Sequence, residues 1–202
     1  MREEVVELAR ILFSIGAIKF GEFTLTSGAK SPVYVDLRLL PSHPREFQAV
    51  IRMLDEKLRK ALGAGANCIV GVATAGIVWA SVLAYLEGLP LAYVRKERKE
   101  HGTRRLVEGR VEGCKAVIVD DVATTGSSLA SAVEAVRGSG GETIAALVIV
   151  DREQGASERL AGLGVTLYRV ATLREILEAA AKLGLADADT VSRVLSQLYG
   201  RS

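Results

Sequence analysis

The chain has 202 residues, 26 Lys+Arg against 24 Asp+Glu and a formal net charge of +2, a length that suits one domain with a core needing no staples. Its 49% hydrophobic and 25% charged content excludes a disordered chain, and the near-neutral balance excludes a nucleic-acid binder held by bulk charge. Two cysteines, Cys68 and Cys114, are too few for a disulfide framework or a four-cysteine zinc site, so the expected setting is the cytoplasm.

Residues 3–15 place Val5, Val6, Leu8, Ala9, Leu12 and Phe13 at helical spacing, with acidic residues in the first turn. Those acids do not suit a signal peptide, and none is expected here. Extended runs over 20–27 and 31–40 follow, parted by Gly28 and the Ser31-Pro32 turn signal. Residues 44–62 predict a second amphipathic helix, opened by Pro44. No charge lies between Lys60 and Glu87, a length that raises a membrane helix. Gly63, Gly65, Asn67, Gly71, Thr74 and Gly76 divide it, however, so the expectation is no membrane segment. A buried strand over 68–73 and a helix over 76–88 account for the stretch instead. A strand over 90–95 then leads into a long polar loop. Strands over 115–121, 142–151 and 165–171 alternate with helices over 128–140 and near 156–162, and helices close the chain.

The runs 116–120 and 146–151 are apolar on both faces, as strands covered on both sides must be. The expected class is therefore α/β, a parallel sheet with right-handed crossovers and helices on both faces. In such folds ligands sit beyond the carboxyl ends of the strands.

One strand end carries a distinctive run: Val117-Ile118-Val119-Asp120-Asp121-Val122-Ala123-Thr124-Thr125-Gly126-Ser127-Ser128-Leu129. Two adjacent carboxylates precede a short Thr/Gly/Ser loop that opens into a helix. Loop N–H groups and the positive end of the helix dipole make a phosphate-sized anion site. The hydroxyls of Thr124, Thr125, Ser127 and Ser128 add donors, and Gly126 lets the backbone come close. Carboxylates beside an anion site fit a ligand that also offers donors, as a ribose 5-phosphate does. The run has neither the Gly-Lys-Ser/Thr of a Walker loop nor the glycine spacing of a dinucleotide fingerprint. The alternative is an ordinary corner with Ser127 or Ser128 as helix N-cap.

This run resembles the phosphoribosyl diphosphate motif of the type I phosphoribosyltransferases. The resemblance implies that fold: a central, mainly parallel sheet flanked by helices, with a small N-terminal hood. A single domain over 1–202 would then comprise a hood near 18–40, a core near 44–171 and C-terminal helices over 172–202. It also implies that Asp120 and Asp121 contact the ribose of 5-phosphoribosyl 1-diphosphate (PRPP), Asp121 within the catalytic set. Val122, Ala123, Thr124, Thr125, Gly126, Ser127 and Ser128 would hold the 5-phosphate.

Residues 95–110 carry seven Lys+Arg and three Glu, a balance of +4, which leaves −2 for the rest of the chain. By pattern alone this suits a diphosphate-binding loop, a solvated loop or a nucleic-acid patch. The order Tyr93-Val94-Arg95-Lys96-Glu97-Arg98-Lys99-Glu100-His101-Gly102 resembles the catalytic loop of the orotate phosphoribosyltransferase family. That resemblance implies diphosphate ligands at Arg95, Lys96, Lys99 and His101, the last two catalytic. It further implies a homodimer in which the loop closes over the partner's active site, with orotate and PRPP as substrates and no nucleic acid.

Residues 23–36 resemble the hood of the same family, which implies a cover for the orotate pocket and a ring contact from Tyr34. Thr26 and Ala75 stand where relatives carry lysine. Gly71-Val72-Ala73-Thr74-Ala75-Gly76 follows a strand and opens a helix. Its small residues suit either amide contacts to a diphosphate or tight helix–sheet packing. Arg152, at another strand end, can pair bidentately with a carboxylate, and the resemblance places it and Thr124 on orotate. Mg²⁺ is the implied cofactor, held through substrate oxygens and water with no dedicated protein ligand. The implied reaction converts orotate and PRPP to orotidine 5′-phosphate and diphosphate in pyrimidine (UMP) biosynthesis. A purine or uracil phosphoribosyltransferase and a non-catalytic PRPP sensor are the rivals.

Overall fold

The computed structural model describes residues 1–24, 28, 30–96 and 106–200. In chain order the elements are α1 (Glu3–Ser14), β1 (Ile18–Thr24), β2 (Lys30–Val35), a 3₁₀ turn (Leu37–Ser42), α2 (Pro44–Gly63), β3 (Cys68–Val72), α3 (Ala75–Glu87), β4 (Leu91–Val94) and β5 (Val107–Glu108). Then come β6 (Lys115–Val119), β7 (Val122–Ala123), α4 (Ser127–Arg137), β8 (Glu142–Asp151), α5 (Ala156–Ala161), β9 (Thr166–Thr172), α6 (Leu173–Lys182) and α7 (Ala188–Tyr199). Two compact units result: residues 50–170, and residues 1–49 together with 171–202.

The unit of residues 50–170 holds the sheet, in the order β5-β4-β3-β6-β8 with β7 and β9 also paired to β8. Strands β3, β4, β6, β7 and β8 run parallel, and β5 is antiparallel to β4. All five parallel strands therefore end at one edge, and the loops that follow them meet there. Along β3, β6 and β8 the side chains alternate between faces. Val70, Ile118 and Val148 pack with Leu129, Val133 and Val136 of α4 and with Ala156 and Leu160 of α5. Ile69, Val117, Val119, Leu147 and Ile149 on the other face are equally buried, which is why these strands lack a polar alternation. Trp79, Ala80 and Leu83 bury α3. Among the described residues, no helix is long and apolar enough to cross a membrane.

In the other unit, β1 and β2 form an antiparallel hairpin, and α6 packs against both α1 and α7. Thr172 and Glu175 cap α6 reciprocally, and Arg2 pairs with Glu175 through both carboxylate oxygens at 3.0 Å. The extended run expected over 31–40 stops at Val35. Asp36 accepts from the Arg38 N–H at 3.3 Å, and Leu37 and Leu40 are buried by a 3₁₀ turn whose three-residue period matches their spacing.

Candidate active site

The acidic corner forms where β6 ends. Asp120 N donates to Leu147 O at 3.1 Å, and Asp121 O accepts from Ile149 N and Val150 N at 3.0 and 3.2 Å. The corner is thus fastened to β8. Each carboxylate also takes the next amide: Asp120 Oδ1 from Asp121 N at 2.9 Å, Asp121 Oδ1 from Val122 N at 2.8 Å. Val122 and Ala123 then pair with Val150 and Asp151, and Arg152 N donates to Ala123 O at 2.9 Å. One ladder therefore brings Asp120, Asp121, Val122, Ala123 and Arg152 together.

Gly126 is the N-cap of α4, in the left-handed region at φ 74°. A Cβ here would lie 2.9 Å from Ala156 Cα, so glycine answers both the backbone angle and the approach of α5. Neither Ser127 nor Ser128 caps the helix; among the described residues no side chain does. The Thr125 and Ser127 hydroxyls instead share a hydrogen bond of 2.9 Å. The first-turn amides of α4, which have no acceptor within the helix, remain available to an anion beside Thr124 and Ser128.

Burial pushes the Asp120 carboxyl well above its ordinary range, the adjacent Asp121 carboxylate pushes it further, and the Lys96 ammonium partly opposes them. Asp120 is 9% exposed. Lys96 therefore lies within the field of the acidic corner. A cavity of about 360 Å³ is lined by Ala73, Thr74, Tyr93, Arg95 and Lys96, at the ends of β3 and β4. Its walls are joined by the bond from Ala73 N to Val94 O at 2.8 Å, and the Ala73–Thr74 peptide is cis. Arg95 Nη1 lies 3.4 Å from Glu108 Oε1. At Gly76 a Cβ would stand 2.3 Å from Val119 O, so tight packing against β6 accounts for that glycine.

Arg152 is 3% exposed at the end of β8. Its neighbour Asp151 pairs with Arg169, a residue without any sequence signal, since a single arginine in a strand has no distinguishing spacing. Tyr34 belongs to the other unit, where its ring stacks on Phe23 with centroids 5.4 Å apart and its hydroxyl accepts from Arg38 at 3.0 Å. Lys99, His101 and Thr26 lie outside the described residues. Among the described residues, no group of three or more His, Cys, Asp or Glu is placed to hold a metal.

Paired acids at the carboxyl edge of a parallel sheet, running through a glycine corner into a helix without a side-chain cap, define a type I phosphoribosyltransferase. Residues 39–167 match the family model of the phosphoribosyl transferase domain. The orotate phosphoribosyltransferase of Aeropyrum pernix is 46% identical over 183 residues, 90% of this chain and 96% of that protein. The crystal structure of orotate phosphoribosyltransferase from the same organism superimposes with a TM-score of 0.76, covering 88% of this chain and 99% of that one. Leishmania donovani UMP synthase gives a TM-score of 0.85 at 32% identity, over 96% of this chain and 42% of its own. The chain belongs to the orotate phosphoribosyltransferase family.

Proposed function

We infer that the protein transfers the 5-phosphoribosyl group of PRPP to orotate, giving orotidine 5′-phosphate and diphosphate for UMP synthesis in the cytoplasm. The observation that carries this reading is the Asp120–Asp121 corner joined to the start of α4. Its carboxylates suit the ribose 2′- and 3′-hydroxyls, and its amides and the hydroxyls of Thr124, Thr125, Ser127 and Ser128 suit the 5-phosphate. Charge-assisted hydrogen bonds are worth about 1.5–3 kcal/mol each, enough to fix the sugar in one orientation.

The reaction breaks the C1–O bond to diphosphate, whose oxygen keeps the electron pair, and joins C1 to an orotate ring nitrogen. Positive charge grows at C1 in the transition state, and the Asp121 carboxylate stands on the ribose side to balance it. Negative charge grows on the leaving group, next to the Arg95–Lys96 cavity. In this reading Lys99 and His101 complete that set from the neighbouring subunit of a homodimer. Arg152, with Thr124, takes the orotate carboxylate, and the ring contact is assigned to Tyr34. Arg, Lys and backbone donors oriented in advance lower the barrier without a covalent enzyme intermediate.

Mg²⁺ fits this site as a passenger of the diphosphate. Asp120 and Asp121 are hard oxygen donors already engaged with the ribose hydroxyls in this reading, so the ion would be held through diphosphate oxygens and water, the ligands it prefers beside phosphates, with no dedicated protein ligand. When bound, it supplies charge neutralisation on the diphosphate oxygens.

Diphosphate release measured with orotate, uracil, adenine and hypoxanthine tests the assignment. Release with orotate alone is expected. Release with another base and none with orotate transfers the protein to a rival enzyme class, and tight binding of both substrates without release makes it a sensor.

A further inference from the structure

Asp151 is the last residue of β8 and is only 2% exposed. A carboxylate buried this deeply needs partners, and each of its oxygens has one. Oδ1 accepts from the backbone N–H of Glu153 at 2.9 Å, and Oδ2 accepts from Arg169 Nη1 at 3.3 Å. The first bond spans Arg152 and closes a tight turn around it. Within that turn Glu153 adopts φ 55°, a left-handed conformation that residues with a side chain seldom take. The Asp151 carboxylate accepts from the amide of that residue and so braces it.

Arg169 comes from β9, with 39% of its side chain exposed, and also reaches Ser157 Oγ of α5 at 3.4 Å. The Asp151–Arg169 pair thus joins β8, β9 and α5, a single residue before Arg152. On its other side the Arg152 backbone is fastened to Ala123 within the PRPP corner. The turn is held at both ends.

We propose that Asp151 and Arg169 are positioning residues for the acceptor: their ion pair fixes the turn that presents the Arg152 guanidinium to the carboxylate of orotate. This rests on the reading that Arg152 receives that carboxylate. The pair acts in two ways. It preserves the left-handed turn, and it neutralises a buried charge that would otherwise draw on the guanidinium one residue away. A guanidinium turned toward Asp151 has fewer donors for a planar, two-point grip on substrate.

Steady-state kinetics with each substrate varied separately test this in Arg169→Gln, Arg169→Lys, Asp151→Asn and Arg152→Ala. Arg169→Gln is expected to raise the KM for orotate about tenfold, with the KM for PRPP within twofold and kcat within threefold. Arg169→Lys, which keeps the cation, is expected to recover most of the loss. Should Asp151→Asn fail to fold, the two Arg169 variants decide alone. If Arg152→Ala leaves the orotate KM unchanged, the assignment of Arg152 falls and the positioning role with it. If Arg152→Ala raises that KM while Arg169→Gln does not, or shifts both KM values equally, the positioning role alone is overturned.

Discussion

Gly126→Ala tests the claim that the phosphate corner is clamped between its own backbone angle and α5. At φ 74° an alanine pays a left-handed penalty of about 1–2 kcal/mol. Its Cβ would also sit 2.9 Å from Ala156 Cα and 3.2 Å from Ala156 Cβ. Overpacking of that kind costs about 1–3 kcal/mol. Restricting the unfolded chain returns about 0.4–1 kcal/mol, which leaves a net destabilisation of about 1–4.6 kcal/mol. For a chain of this length that corresponds to a fall in Tm of about 2–18 °C. The corner must also shift to relieve the clash, so the KM for PRPP should rise several-fold. Thermal unfolding and PRPP-dependent kinetics read both effects. Adding Ala156→Gly removes the methyl on the α5 side but leaves the crowding by the α5 main chain and the backbone penalty, so recovery should be partial. A Gly126→Ala protein with unchanged Tm and unchanged KM for PRPP would falsify the clamp.

Asp120→Asn separates stability from activity. A carboxyl whose pKa is raised by folding supports the fold at acid pH, and that support fades as pH climbs through the raised value. The asparagine variant should therefore match or exceed the parent's Tm at pH 8 while losing about 10- to 100-fold in kcat/KM, as expected for one charge-assisted bond; a lower Tm at pH 8 contradicts the sign. Thr172→Ala removes half of the α6 capping box, with an expected cost of about 1 kcal/mol in denaturant unfolding and no change in kcat. Lys99→Ala should depress kcat at least tenfold with little change in PRPP affinity, because its contact strengthens only as diphosphate departs; equal turnover removes it from catalysis. Mixing Asp121→Asn with Lys99→Ala protein should restore part of the activity after subunit exchange, and no recovery argues against a loop shared between subunits.

The sheet was legible because strands buried on both faces must be apolar throughout, as Ile118 to Val119 and Leu147 to Val150 are. The corner was legible for a different reason: two adjacent carboxylates followed by a Thr/Gly/Ser loop are an unusual way to end an apolar strand. Packing choices were not. Ser127 and Ser128 have the chemistry of helix caps, and the left-handed backbone at Gly126 together with the approach of Ala156 explains why glycine takes that position. The 3₁₀ turn after Val35 was hidden because Leu37 and Leu40 suit an extended run until Asp36 bonds back to Arg38. Arg169 could not be found at all, since its pairing with Asp151 depends on β9 lying beside β8.

With no room for even a methyl group between Gly76 and the Val119 carbonyl, the first turn of α3 is seated directly on the strand that leads into Asp120. In the proposed reading, the corner that takes the ribose and the loop that opens α3 are consequently parts of a single stiff bracket.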